Sequence, residues 1–187
     1  MRTRRIHRRL RVEELEPRIA PTGIWDYWVE MGAHSATNGG ISNNTGSSDS
    51  ASIATDTAGN PVVAWSDDQS GDTEVYLLRW NGSAWAALGG STSGGGISNA
   101  PDPSTVPAIA IGTDGGPIVA WRQYSDASQN VYVRRWDGSS WAEMGAGSAS
   151  GGGLSNGGAS NWGQSPDIAA ATNGNVCVAW RQYASAG

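Results

Sequence analysis

Arg122-Gln123-Tyr124 and, further along the chain, Arg181-Gln182-Tyr183 are the residues whose types most suggest recognition chemistry. A guanidinium, a carboxamide and a phenol together offer donors, acceptors and an apolar ring face, a mixture that suits sugar hydroxyls. A second phrase recurs as Gly40-Ile41-Ser42-Asn43, Gly96-Ile97-Ser98-Asn99 and Gly153-Leu154-Ser155-Asn156, and adds Asn99 and Asn156 to these candidates. The competing reading is a set of loop hydrogen bonds at a sheet edge. The earliest copy of the first phrase is Ser66-Asp67-Asp68-Gln69, so that repeat should bind differently or not at all.

Other chemistries find less support. Asp67, Asp68, Asp72 and Glu74 surround Gly71, but their spacing departs from a calcium loop. The matching Ser125-Asp126-Ala127-Ser128-Gln129 lacks most of the acids, so a solvated acidic turn is expected. His7 and His34 are too few and too far apart for a metal site or a His-based catalytic pair. No two carboxylates stand out as the acid and nucleophile of glycoside cleavage. No metal and no cofactor is expected. The single cysteine excludes an intrachain disulfide. Cys177 aligns with Val62 and Ile118 and should be a small buried apolar residue.

The elements that would hold these residues are strands. Gly59-Asn60-Pro61-Val62-Val63-Ala64-Trp65 is followed by Glu74-Val75-Tyr76-Leu77-Leu78-Arg79-Trp80-Asn81-Gly82-Ser83-Ala84-Trp85. Trp65, Trp80 and Trp85 recur 56 residues on as Trp121, Trp136 and Trp141, and a third copy starts at Gly174. Ser52–Asp56 and Pro61–Trp65 read as a hairpin, with Pro61 at a strand start where its missing amide proton does little harm. Glu74–Trp80 is a strand, Asn81-Gly82 a strong hairpin turn, and Trp85–Leu88 a fourth strand. Asp137-Gly138 repeats that turn before Trp141. Four antiparallel strands per repeat at such a period is the signature of a β-propeller blade. The repeated tryptophans fit packing between blades.

Composition agrees with this class and excludes others. Glycine is abundant, Phe is absent and there are ten Trp, which suits short strands and turns. Residues 1–23 carry seven Arg and three Glu (net +4), and the remainder five Arg and fourteen acids (net -9). An acidic body of this kind argues against nucleic-acid binding. No apolar run approaches the length of a membrane helix, so no membrane insertion is expected.

Residues 1–23 form a basic leader, expected to be disordered, that lacks the apolar core of a signal peptide. Its Leu15-Glu16-Pro17-Arg18 after an Arg-rich start resembles the leader of large exported or surface proteins of some bacteria, which implies an extracellular or cell-surface address. The "G-N-P-x-V-A-W" and "R-W-N-G-S-x-W" phrases over residues 24–187 resemble bacterial exported Trp-rich propeller repeats, distantly related to sialidase-type propellers. Repeats run near 24–89, 90–145 and 146–187. Trp28-Val29-Glu30-Met31-Gly32 aligns with Trp85–Gly89, so the expected fold is all-β, an incomplete propeller of two full blades with partial blades at both ends. A ring of four to eight blades would be completed by the rest of a longer chain or by oligomerisation.

Tight turns should cover one face of such a disc. The second-to-third loops and the long Gly/Ser connections should share the other. Those connections keep Ile or Leu at one position, so they should be ordered with that side chain pinned to a blade. The expected function is a non-catalytic exported module that binds glycans or a surface protein. A sialidase-like glycoside hydrolase fragment and a structural repeat with no ligand are the alternatives. Against the hydrolase, Asp56, Gly59 and Trp65 miss the spacing of the sialidase Asp-box. Gly112 and Ala171 stand where Asp56 would recur, and no arginine trio can be drawn from Arg79, Arg122, Arg134, Arg135 and Arg181. Repeated residues suit packing or multivalent binding, whereas a catalytic site breaks the repeat.

Overall fold

A computed structural model of the chain describes residues 30–125, 128–158 and 161–184. The leader at 1–23 and Trp28-Val29 of the expected opening strand lie outside the described residues, and the rest of that segment, Glu30-Met31-Gly32, forms no strand. The description below concerns the unit that begins at Met31.

Branched and aromatic runs cut by glycine turns form ten strands among the described residues, and the fold is all-β. They are β1 Ser48–Thr55, β2 Pro61–Asp67, β3 Glu74–Trp80, β4 Trp85–Ala86, β5 Ser104–Ile111, β6 Pro117–Ser125, β7 Ser128–Trp136, β8 Trp141–Glu143, β9 Asn161–Ala170 and β10 Val176–Ala184. Successive strands pair antiparallel as β1-β2-β3-β4, β5-β6-β7-β8 and β9-β10. A single parallel bridge between Gln129 and Trp162 also joins β7 to β9. The amide of Gln164 donates to Gln129 Oε1 at 2.8 Å beside it.

The fourth strands are shorter than the repeat suggests, because the Gly/Ser connection takes over part of their task. β4 ends at Ala86. The remaining edge of β3 is covered by the connection: Leu77 N donates to Ser91 O at 3.0 Å and Ile97 N to Val75 O at 2.7 Å. The second unit repeats this with Val133 N to Ser148 O at 2.8 Å and Leu154 N to Val131 O at 2.7 Å. An edge that would otherwise offer open ladder groups is thereby closed. Ile97 is fully buried, as a pinned loop side chain should be, but Leu154 is exposed and corrects that expectation for the second connection.

The hairpin at Asn81-Gly82 is longer than that dipeptide usually makes. Trp80 pairs with Trp85, Gly82 takes φ +97°, and Asn81 Oδ1 accepts from the amides of Ser83 and Ala84. Side-chain capping of amides thus replaces a two-residue turn. Asp137 caps the same loop in the second unit, and amide bonds from Ser140 and Ser139 hold its carboxyl far below the usual range.

Two apolar layers lie between the sheets. Val62, Ala64, Val75 and Leu77 of the first sheet, with Ile97 of the connection, meet Ile109, Val119, Trp121 and Tyr132. Ala108, Ala110, Ile118, Ala120 and Val133 meet Ile168 of the β9-β10 hairpin. Trp121 fills the first layer and stacks on Tyr132 with ring centres 6.0 Å apart, so here the repeated tryptophan is a packing residue. Cys177 corrects the sequence expectation, because it is exposed. Its counterpart Ile118 is covered by the β9-β10 hairpin, and among the described residues no further sheet covers Cys177.

Each first strand breaks register at one place, with Ser50, Val106 and Ser165 at positive φ. The bulge in β5 turns a backbone amide sideways, and Val106 N donates to Ser66 Oγ of β2 at 3.1 Å. This bulge therefore ties neighbouring sheets together as well as bending its strand.

Candidate functional site

The two complete units superpose their roles almost residue for residue, so departures from the repeat identify what is special. In the first unit Asp67 is fully buried at the end of β2. Its Oδ2 accepts from Ser48 Oγ at 2.6 Å, Asn44 Nδ2 at 3.0 Å and Trp65 Nε1 at 3.2 Å, and its Oδ1 from Gln69 N at 2.9 Å. Burial alone would raise this carboxyl, but the four donors outweigh it and hold it below its ordinary value. Gly46 packs onto Asp67 and Asp68 with no room for a side chain.

Asp67 and Glu74 also correct the expectation of a solvated acidic turn. Glu74 is buried, its Oε1 accepts from Ala100 N at 2.9 Å, and its Oε2 accepts from Ser98 Oγ. Burial, the largest influence, pushes its carboxyl up despite these bonds, with Asp72 adding to the rise. In the second unit Asn130 does the same work uncharged: its Oδ1 accepts from Ser155 Oγ and Gly157 N, both at 3.0 Å.

At the second unit the Asp67 knot is absent. Gln123 stands at the position of Asp67, Ala100 at that of Asn44 and Asp102 at that of Gly46. Of the counterparts of two donors to Asp67, Trp121 Nε1 is buried with no hydrogen-bond partner, while the Ser104 hydroxyl is turned to the Glu74 carboxyl, which it helps hold down. In the third unit the same indole is satisfied, because Trp180 Nε1 donates to Gln182 Oε1 at 2.8 Å. Gln123 instead lines a cavity of about 490 Å³.

That cavity is built from three loop segments: the connection at Ser98–Asp102, the β6-β7 turn with Gln123, Ser125 and Ser128, and the outer connection at Ala149–Gly152 and Asn156. The two loop classes expected to share one face thus meet at one place. Asn130, Tyr132 and Arg134 form the rest of the wall. Tyr132 OH donates to Gly151 O at 2.6 Å and Arg134 Nη1 to Ile97 O at 2.6 Å, which fixes the loops around the opening. Arg134 replaces Leu78, Ser128 replaces Asp72 and Asn130 replaces Glu74. Repeat-breaking polar side chains are therefore concentrated on one cavity, while the repeated residues make the frame.

Of the sequence candidates, the structure brings Asn99, Gln123 and Asn156 together on this cavity. Arg122 and Tyr124 are not among its walls: the guanidinium donates from Nε and Nη2 to Thr105 Oγ1 at 3.1 and 3.0 Å and lies 4.6 Å over the Tyr124 ring. Arg181 likewise stacks 4.0 Å over Tyr183, and Gln182 holds Trp180. The repeated Arg-Gln-Tyr phrase is thus a stacked Arg–Tyr pair in both units, and its glutamine partners the indole only in the third. Asp102 and Arg134 escaped the sequence reading. Both are places where one unit departs from the other in otherwise matching stretches, and that departure is the signal that would have found them.

The arginines are engaged separately. Arg79 pairs with Asp56, and Arg135 with Asp114, which supplies a carboxylate two residues after Gly112. Burial raises the Asp56 carboxyl, but bonds from Asn60, Arg79 and Ala58 overcome this and hold it at about 2. Among the described residues no group of three or more His, Cys, Asp or Glu is placed to hold a metal ion. No helix among them is long and apolar enough to cross a membrane. Compared with family models, curated proteins and solved structures, the chain matches none.

Proposed function

We propose that the chain is a non-catalytic, exported or cell-surface β-propeller module that binds a glycan in the cavity of its second unit. The blade reading is supported by the strand order within each unit. It is also supported by β5 lying against β1 and β2 on one side and β9 on the other. The bulge at one position of every first strand points the same way. The exported address is supported by the leader motif at Leu15–Arg18.

One observation carries the binding reading: Gln123 faces a polar cavity and leaves the buried Trp121 Nε1 unsatisfied, although Asp67 solves the same problem next door. Such a cost is tolerated where a side chain is needed elsewhere. A cavity of this size, with amide, hydroxyl and carboxylate groups around it, accommodates a sugar ring or two. Among the described lining residues Asp102 is the one carboxylate, which favours binding over the paired acid chemistry of glycoside hydrolysis. A glycan array probed with the wild-type chain, Gln123→Ala and Tyr124→Ala tests this. Signal lost in Gln123→Ala and kept in Tyr124→Ala is expected. No signal from any variant, or loss only in Tyr124→Ala, would overturn the site.

A further inference from the structure

Resting on that glycan reading, we infer that the cavity is a single site per pair of units, that it takes a neutral sugar through the Asp102 carboxylate, and that it rejects anionic sugars. Asp102 is half-buried on the cavity wall, and its carboxylate accepts no hydrogen bond from the described residues. An ionised carboxylate is an acceptor only, with room for several donors. Two adjacent hydroxyls of a sugar can donate to its two oxygens, and hydrogen bonds to a charged acceptor are the strong ones. Gln123 and Asn99 add both donors and acceptors on the same wall. These groups discriminate among hydroxyl patterns, not among charges.

The charge in the cavity also has a sign. Arg134 is the cation on its wall, and one arm of its guanidinium is committed to Ile97 O. After burial, the Asp102 charge is the next influence raising the Tyr132 phenol, so that charge is felt across the wall. A sialic or uronic acid would bring its carboxylate towards Asp102, and the Arg134 charge that would offset this also acts on the Glu143 carboxylate.

The first unit offers no equivalent. Its matching residue is Gly46, where an added Cβ would lie 2.8 Å from Asp68 Oδ1 and 2.7 Å from Gln69 N. Asp67, Asn44, Ser48 and Trp65 bond one another in the same region. Repetition here builds one site beside one sealed copy, not a row of equal sites.

The test is a titration of the full chain with neutral oligosaccharides ending in galactose, mannose or glucose, and with their sialylated forms, repeated on Asp102→Asn. The expected result is binding of a neutral glycan at one site per chain. Sialylated forms should bind roughly tenfold or more weakly, and Asp102→Asn should lower neutral affinity about tenfold or more. The comparison of neutral with sialylated ligands uses wild-type protein alone, so it stands even if the variant fails to fold. Equal binding of both ligand types, neutral affinity unchanged in a folded Asp102→Asn, or two equal sites would overturn this inference and leave glycan binding intact. Absence of binding to either class would overturn both.

Discussion

Rebuilding the Asp67 knot in the second unit should make the protein more stable and close its cavity. The variant is Ala100→Asn, Asp102→Gly and Gln123→Asp. It supplies the carboxylate, its amide donor and the glycine that the knot requires, since Gly46 has no room for a Cβ. Trp121 Nε1 would regain a partner like that of Trp65. A buried polar atom without a partner costs about 1–3 kcal/mol. Pairing the indole is worth about 1–3 kcal/mol, and the bonds the new carboxylate accepts offset most of its desolvation. A net gain of about 1 kcal/mol is expected at pH 7, a rise in Tm of about 2–4 °C for a chain of this size.

The gain should also depend on pH with a definite sign. In the first unit the four donors hold the Asp67 carboxyl below its ordinary value. A depressed carboxyl contributes stability above the unfolded pKa, about 3.9, and that stability is lost as pH falls through the folded value. Urea melts followed by tryptophan fluorescence should show the variant ahead at pH 7 and level with wild type in strong acid. A variant no more stable at pH 7, or equally ahead at every pH, would refute the reasoning.

Four further outcomes follow from the same contacts. Ser98→Ala leaves Val75 N without its partner at 2.8 Å and frees a Glu74 oxygen, so urea melts should show a loss of about 2–3 kcal/mol. Because the Glu74 carboxyl is raised, its contribution is complete below the unfolded pKa of about 4.3 and fades as pH rises through the folded value. Glu74→Gln should flatten that decline in melts run between pH 4 and 7, as the uncharged Asn130 already does in the second unit. An alanine at Gly89, where φ is +59° and a Cβ would lie 2.8 Å from Trp136 Cζ3, should cost at least about 1 kcal/mol more than one at Gly138, which is strained at φ +101° but open. Cys177 should react at once with a thiol reagent in the native protein, and protection until unfolding would contradict its exposure.

Period and turn chemistry made the strands legible. Pro61, the Glu74–Trp80 run and the recurrence of Trp65 at Trp121 gave β2, β3 and the packing role of the indole directly. The short β4 was not legible, because the Ser91 and Ile97 bonds to β3 come from a Gly/Ser stretch with no strand pattern. Cys177 misled because a repeat position predicts burial only where a neighbouring sheet covers it. At the site, type alone favoured Arg122 and Tyr124, which satisfy each other by stacking. Asp102 and Arg134 carry no motif, and only the folded chain shows that they face the same space as Gln123. The buried Asp67 reads as a surface acid until Ser48, Asn44 and Trp65 are seen around it.

The most direct measurement is the crystal structure of the full chain soaked with a neutral glycan selected on the array. Density for a sugar in the cavity bounded by Asn99, Gln123 and Asn156, with hydroxyls on Asp102, is expected. Density on the Arg122–Tyr124 or Arg181–Tyr183 stacks, with that cavity unoccupied, would contradict the site and with it the account of why Gln123 departs from Asp67.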